Sequence, residues 1–140
     1  MISKLWGKLL GVILISTLGA DVGRGQNPLP TADLNGNYPR NTHLGWLVVD
    51  RTPNGLGCRW SEQMPTNWYD PTARLPRLNI GEWEVVRRFG FGSRLRANPE
   101  PAGFTFLYDL DGRPWLKVNI GSDNRICLVR ANANFILPAP

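Results

Sequence analysis

The chain has 140 residues, of which 42% are hydrophobic, and it carries 16 Lys and Arg side chains against 11 Asp and Glu. This length predicts one compact domain and excludes a multidomain enzyme, and the apolar content with six tryptophans excludes a mostly disordered chain. Fifteen glycines and twelve prolines argue against long helices. One histidine, two cysteines and scattered carboxylates leave little material for catalysis, so we expect no metal site and no cofactor.

The first twenty residues have the pattern of a secretory signal peptide. Lys4 and Lys8 flank the start of an apolar run over residues 9–15, which passes into the small or polar residues 16–20. The run is shorter than the about 20 residues that a membrane-spanning helix needs. We therefore expect residues 1–20 to be removed on export, which leaves a secreted or periplasmic protein without a membrane span. An uncleaved N-terminal anchor is the alternative.

Removal of the signal peptide lowers the net charge. It takes away Lys4 and Lys8 and no acid, which leaves 14 basic against 11 acidic side chains, a net charge of +3. Lys117 is then the last lysine, and no basic run is longer than the pair Arg87-Arg88. A charge this small predicts no nucleic-acid partner.

The export signal bears on the two cysteines, because exported proteins fold in an oxidising compartment. In an oxidising compartment, two cysteines in a small secreted chain are most simply one disulfide, here between Cys58 and Cys127. Two unpaired buried thiols are the alternative. A redox role is not expected, because neither cysteine belongs to a Cys-x-x-Cys motif.

Residues 21–43 are rich in Asn and Pro without an apolar period, and they predict a flexible linker before a domain over residues 44–140. Runs of β-branched and aromatic residues indicate strands within residues 45–50, 56–60, 83–89, 94–97, 104–110, 115–120, 126–130 and 135–137. Asp111-Gly112 between two such runs predicts a hairpin. Counted as six or seven short strands, because the shortest runs need not all form one, these runs with Gly and Pro turns and no helical period predict an all-β fold, a small β-barrel.

A long loop interrupts this pattern after the second strand, over residues 60–81. Prolines at 65, 71 and 76 prevent both a helix and a central strand there. The segment also contains Trp60, Trp68 and Tyr69, which a disordered linker would usually lack. We therefore expect an ordered loop that packs against the domain, with Trp68-Tyr69-Asp70 at its exposed tip.

Four segments follow one another along the chain. They are Leu56-Gly57-Cys58-Arg59, a strand and glycine turn over residues 85–95, Trp115-Leu116-Lys117-Val118, and a closing strand over residues 128–136. This order resembles the bacterial SH3-type domain of exported and cell-wall-associated proteins, over residues 44–137. The resemblance implies an SH3-like barrel in which the strands of Cys58 and Cys127 are neighbours, which supports their disulfide. The loop after Arg59 is far longer than in that family, where it flanks the peptide groove.

The candidate ligand-binding residues are aromatic and arginine side chains: Trp60, Trp68, Tyr69, Arg59, Arg87 and Trp115. Trp and Tyr offer a large contact area with a polar handle, and Arg pairs with carboxylates. Trp115 is included because the resemblance places it at the edge of the groove. The alternative is that Trp60, Trp83 and Trp115 only fill the core.

These observations predict an exported, non-catalytic binding module that recognises a peptide, with cell-wall peptide as the candidate ligand. One alternative is a small secreted enzyme, a wall hydrolase or transferase. The only histidine, His43, has no second ligand or nucleophile near it in the sequence, which disfavours that class. A structural or inhibitory domain that binds a protein partner is the other alternative. The sequence indicates no oligomeric state.

Overall fold

The computed structural model describes residues 28–65, 77–122 and 125–140. These residues form strands β1 (Gly45–Val48), β2 (Leu56–Trp60), β3 (Glu84–Phe89), β4 (Arg94–Arg96), β5 (Phe106–Tyr108), β6 (Pro114–Ile120), β7 (Arg125–Arg130) and β8 (Ile136–Pro138), with one 3-10 helix at Ile80–Glu82. The predicted all-β class is confirmed, with more strands than the six or seven expected. No helix in the described ranges is long and apolar enough to cross a membrane. The predicted signal peptide lies outside them.

The strands form two antiparallel sheets. One has the order β4-β1-β8 and the other β3-β2-β7-β6-β5. A single bridge between Ala97 and Val118 connects the end of β4 to β6. Among the described residues the sheets do not close into the barrel that the sequence predicts. The physical reason is strand length: β4, β5 and β8 have three residues each, so the two sheets meet through packed side chains rather than through one continuous ladder.

The main core lies between the two sheets. The strands alternate, so that every second side chain faces inward, as the pattern of β1 shows with Trp46 and Val48 buried. The core cluster contains fifteen buried residues: Tyr38, Trp46, Val48, Leu56, Cys58, Leu95, Ala97, Phe106, Leu116, Val118, Ile120, Cys127, Val129, Ala131 and Ile136. It draws on both sheets and is what joins them.

A second core cluster covers the outer face of the five-stranded sheet. It contains Ile80, Trp83, Leu107, Trp115 and Leu128, with Met64, Leu78 and Phe104 packed at its border. The 3-10 helix contributes Ile80 to it. The described ends of the long loop, residues 61–65 and 77–81, are thus packed on the sheet. Residues 66–76, which include the predicted exposed tip, lie outside the described ranges.

The predicted disulfide between Cys58 and Cys127 is present. It joins the neighbouring strands β2 and β7, whose Cα atoms at the two cysteines are 5.4 Å apart. Both residues are fully buried in the main core. The bond therefore closes a long loop of chain at the centre of the domain.

The folded domain extends further toward the N-terminus than residue 44. Tyr38, within the segment predicted as a linker, is buried in the main core and donates its hydroxyl hydrogen bond to the carbonyl of Ile136 at 3.0 Å. Asn132 donates to the Asn35 carbonyl at 3.1 Å and to Asn37 Oδ1 at 2.9 Å. These contacts hold residues 35–38 against the domain, although a run of Asn and Pro shows no strand or helix period.

Candidate binding groove

A groove of about 450 Å³ opens at one end of the five-stranded sheet. Its lining comes from β2, β3, β6 and β7 and consists of Trp60, Val86, Arg87, Ile120, Arg125 and Ile126. We call it the β3 groove, because β3 is the edge strand of the four. An apolar surface flanked by two arginines is a lining that suits a small ligand or a peptide side chain.

The groove lies where the main core reaches the ends of its strands. Trp60 is the last residue of β2, and Ile120 is the last residue of β6 and pairs with Arg125 at the start of β7. Ile120 belongs to the main core, whereas Trp60 is 40% exposed. A three-stranded sheet cannot cover the whole inner face of a five-stranded one, so the core ends here in a partly exposed apolar surface.

A β-bulge in the edge strand adds to this surface. Cys58 pairs with Arg87, but the next residue, Arg59, pairs with Val85, so Val86 has no partner on β2. A bulge turns a side chain away from the alternation of its strand and bends the edge. Val86 is accordingly 43% exposed and contributes its isopropyl group to the β3 groove.

The groove has a positive lining. Arg87 and Arg125 line it, and among the described residues no carboxylate belongs to the lining. The Arg87 guanidinium lies 5.4 Å from the ring centroid of Phe89 on the same strand, a cation–π contact that favours one orientation of the long side chain. A guanidinium held beside apolar groups recognises a carboxylate next to an apolar side chain.

The structure brings together only part of the predicted site. Trp60 and Arg87 both line the β3 groove. Arg59 instead donates from Nη1 to the carbonyl of Trp83 at 2.7 Å, which connects β2 to the second core cluster. Trp68 and Tyr69 lie outside the described residues.

Trp115, which the resemblance predicts at the edge of a ligand groove, lies in the core of the structure. It is buried in the second core cluster, and its Nε1 donates to Asp109 Oδ2 at 2.9 Å. The reason is its position on β6, a strand that is covered on both faces by the two clusters. The alternative interpretation, that this tryptophan fills the core, holds for Trp115 and Trp83, whereas Trp60 is half exposed.

Asp109 organises the hairpin that leads into Trp115. Its carboxylate accepts hydrogen bonds from Trp115 Nε1, from the backbone N–H groups of Asp111 and Arg113, and from Arg113 Nε. Burial raises the pKa of Asp109, but these hydrogen bonds and the Arg113 charge outweigh it, and the pKa is lowered overall. Gly112 takes a positive φ of 79° and closes the turn by donating to the Asp109 carbonyl at 2.9 Å. The predicted Asp111-Gly112 hairpin is thereby confirmed.

His43 also has a structural setting. Its Nε2 lies 2.6 Å from the carbonyl oxygen of Ala139, and its ring packs edge-on against Trp46 at 5.6 Å between centroids. Within the described part of the chain, no group of three or more His, Cys, Asp and Glu side chains could hold a metal ion.

Sequence reasoning missed four of the groove residues: Val86, Ile120, Arg125 and Ile126. Val86 and Ile120 lie within runs that were read only as strands, and alternation alone would place them on a buried or an exposed face. The bulge at Val86 and the shared end of β6 and β7 leave no local pattern in the sequence. Of the four residues, Arg125 alone has a signal in the sequence, because it is a charged residue between the turn residues 121–124 and an apolar strand.

Comparison with known proteins finds no matching family model, no matching curated protein and no matching solved structure.

Proposed function

We propose that this protein is an exported, non-catalytic binding module that recognises a peptide in the β3 groove, with cell-wall peptide as the candidate ligand. The observation that carries the proposal is the lining of that groove. Four apolar side chains form a surface for one apolar ligand group, and Arg87 and Arg125 supply two cations for carboxylates beside it.

The edge position of β3 supports an extended peptide as the ligand. In the described sheet β3 pairs only with β2, so its other side presents backbone N–H and C=O groups. An extended peptide adds to such an edge through main-chain hydrogen bonds while its side chains enter a neighbouring pocket. Trp60, at the end of the adjacent strand, offers an indole surface for that side chain.

An SH3-like fold and export belong to the same proposal. The strands that hold Leu56-Gly57-Cys58-Arg59 and the closing segment are neighbours, β2 and β7, as the resemblance implies. Two antiparallel sheets around one core support a partly open form of such a barrel. The buried disulfide supports an oxidising compartment, which agrees with the predicted signal peptide.

The test is binding of the purified protein to isolated peptidoglycan and, by calorimetry, to a synthetic wall stem peptide with free carboxyl groups. We expect Trp60→Ala and the double variant R87Q/R125Q to weaken binding at least about tenfold, because they remove the apolar contact and the carboxylate partners. An amidated stem peptide should bind similarly weakly to the unchanged protein. Trp68→Ala with Tyr69→Ala tests the predicted loop tip separately.

Two matched controls keep the test specific. Leu34→Ala removes an apolar side chain that is exposed at a turn and is not part of the described groove lining, and R88Q/R94Q removes the same number of charges as R87Q/R125Q. Both should retain binding. Retention by the groove variants would refute the placement of the site, and turnover of the wall substrate would replace the proposal by the enzyme alternative.

A further inference from the structure

The sequence contains two Asn-Gly dipeptides, Asn35-Gly36 and Asn54-Gly55. Both asparagines are exposed and both lie in turns. An asparagine before a glycine is prone to lose its side-chain amide, because glycine has no Cβ atom to hinder attack of its backbone nitrogen on the asparagine Cγ. The two sites differ in how firmly the fold holds each dipeptide.

Hydrogen bonds hold the Asn35-Gly36 dipeptide on all sides. Asn35 N–H donates to Asp33 Oδ1 at 2.9 Å, and the Asn35 carbonyl accepts from Asn132 Nδ2 at 3.1 Å. Gly36 N–H donates to the Asp33 carbonyl at 2.9 Å, and the Gly36 carbonyl accepts from the Ala133 N–H at 2.7 Å. Four hydrogen bonds therefore fix the attacking nitrogen and the backbone that must rotate for the attack.

The Asn54-Gly55 dipeptide is held at Gly55 alone. Gly55 N–H donates to the Thr52 carbonyl at 3.0 Å, and Thr52 Oγ1 donates to the Gly55 carbonyl over a long 3.4 Å. In the described part of the chain, no hydrogen bond involves the backbone or the side-chain amide of Asn54. The rotation that the attack needs thus breaks two hydrogen bonds fewer at Asn54 than at Asn35.

We propose that Asn54 is a site of spontaneous deamidation in the folded protein and that the turn around Asn35 protects that residue. The Gly55 amide nitrogen gives its proton to hydroxide and attacks Asn54 Cγ. The new N–Cγ bond closes a succinimide ring, while the Cγ–Nδ2 bond breaks and Nδ2 leaves as ammonia with a proton from water. Water then opens the ring at either carbonyl, which gives aspartate or isoaspartate at position 54.

The size of the difference between the two sites follows from their hydrogen bonds. Deamidation of a dipeptide held by the fold proceeds from the fraction of molecules in which that dipeptide has opened. Each hydrogen bond contributes about fivefold to the opening equilibrium, so the two additional bonds at Asn35 predict a rate about 25-fold lower than at Asn54. In the unfolded chain these bonds are absent, and the two rates should be similar.

The test is incubation of the full chain at mildly alkaline pH, where the attack is faster because the amide nitrogen loses its proton more often. Peptide mapping by mass spectrometry measures conversion at each asparagine, and an isoaspartyl methyltransferase detects isoaspartate. The same incubation in concentrated urea gives the intrinsic rate of each dipeptide. We expect conversion about 25-fold faster at Asn54 than at Asn35 in buffer, and similar rates in urea.

Three variants locate the chemistry. Asn54→Gln should remove the main acidic species that cation-exchange chromatography separates from the unchanged protein. Asp33→Ala removes the acceptor of the Asn35 N–H and should raise conversion at Asn35 at least about fivefold, with conversion at Asn54 unchanged. Asp111→Ala, which replaces an exposed carboxylate in another turn, is the matched control and should change neither rate. Thermal unfolding of each variant verifies that folded chains are compared.

The proposal is independent of the peptide function, because neither dipeptide belongs to the described lining of the β3 groove. Three outcomes would overturn it. One is equal conversion at Asn35 and Asn54 in the folded protein. Another is the absence of conversion at Asn54 in buffer while the chain stays folded. The third is an unchanged rate at Asn35 in Asp33→Ala, which would remove the hydrogen-bond explanation.

Discussion

Raising the pH from about 7.5 to about 9.5 is expected to stabilise the folded protein, because its single lysine after residue 8 is buried in the sheet. Lys117 lies on β6 with a fully buried side chain, and its Nζ donates to the carbonyl of Glu100 at 2.6 Å. Burial lowers the pKa of Lys117 from its ordinary value of 10.5 to about 8, against an opposing attraction from the Glu100 carboxylate. The lowered pKa means that folding disfavours the charged ammonium.

The sign and size of the effect follow from proton linkage. Below pH 8 both the folded and the unfolded chain hold the proton on Lys117, and the folded state bears the full cost, about 3 kcal/mol. Between pH 8 and the unfolded value the unfolded chain binds more protons, so the free energy of unfolding rises with pH. The expected gain between about pH 7.5 and 9.5 is about 2 kcal/mol. Burial raises the pKa of Tyr38, which opposes the gain only above its ordinary value of 10.0.

Urea unfolding, followed by tryptophan fluorescence at a series of pH values in this window, measures the effect. Lys117→Met keeps a side chain of similar length that cannot titrate, and Lys117→Arg keeps a charge that is not lost in this range. Both variants should show a free energy of unfolding that is nearly independent of pH. A flat profile for the unchanged protein, or an equal rise in Lys117→Met, would refute the reasoning.

Two further sets of substitutions test the Asp109 hydrogen bonds and the disulfide, which stabilise the fold. Asp109→Ala should lower the free energy of unfolding by about 2–4 kcal/mol in urea denaturation, because it leaves buried donors of Trp115 and the turn without an acceptor. Asp111→Ala, at an exposed carboxylate, is the control and should lower the free energy of unfolding by less than about 1 kcal/mol. Because the pKa of Asp109 is lowered, the contribution of the Asp109 carboxylate to stability should be lost only in acid, as pH falls below its ordinary value of 3.8. Replacing Cys58 and Cys127 by Ala should cost about 4 kcal/mol, because the bond closes a separation of 69 residues, and a loss below about 1 kcal/mol would contradict that account.

The positions of the strands could be predicted because their signals are local. All eight observed strands overlap the runs of β-branched and aromatic residues identified from the sequence, and the Asp-Gly hairpin falls where its turn chemistry places it. The disulfide followed from a count of two cysteines and an inferred compartment. In each case a few neighbouring residues, or the composition as a whole, carry the information.

Residues 28–43 show where such reasoning stops. Their composition predicts a linker, yet Tyr38 and Asn37 are held by Ile136 and Asn132, nearly one hundred positions further along the chain. Trp115 is a second position at which the local sequence does not determine the role of the residue. Its residue type suits a binding surface, but its place on a strand covered on both faces makes it part of the core.

The sequence by itself determined the all-β class, the strand positions and a surplus of arginine over acid. Only the tertiary structure decided which arginines and aromatic residues share a surface. Trp60 and Ile120 are 60 positions apart. Both line the β3 groove because β2 and β6 border β7 on either side and end at the same end of the sheet. The alternation of apolar and polar residues predicts which side chains share one face of a strand. Whether that face is covered depends on the strand register, on the bulge at Val86 and on the width of the facing sheet.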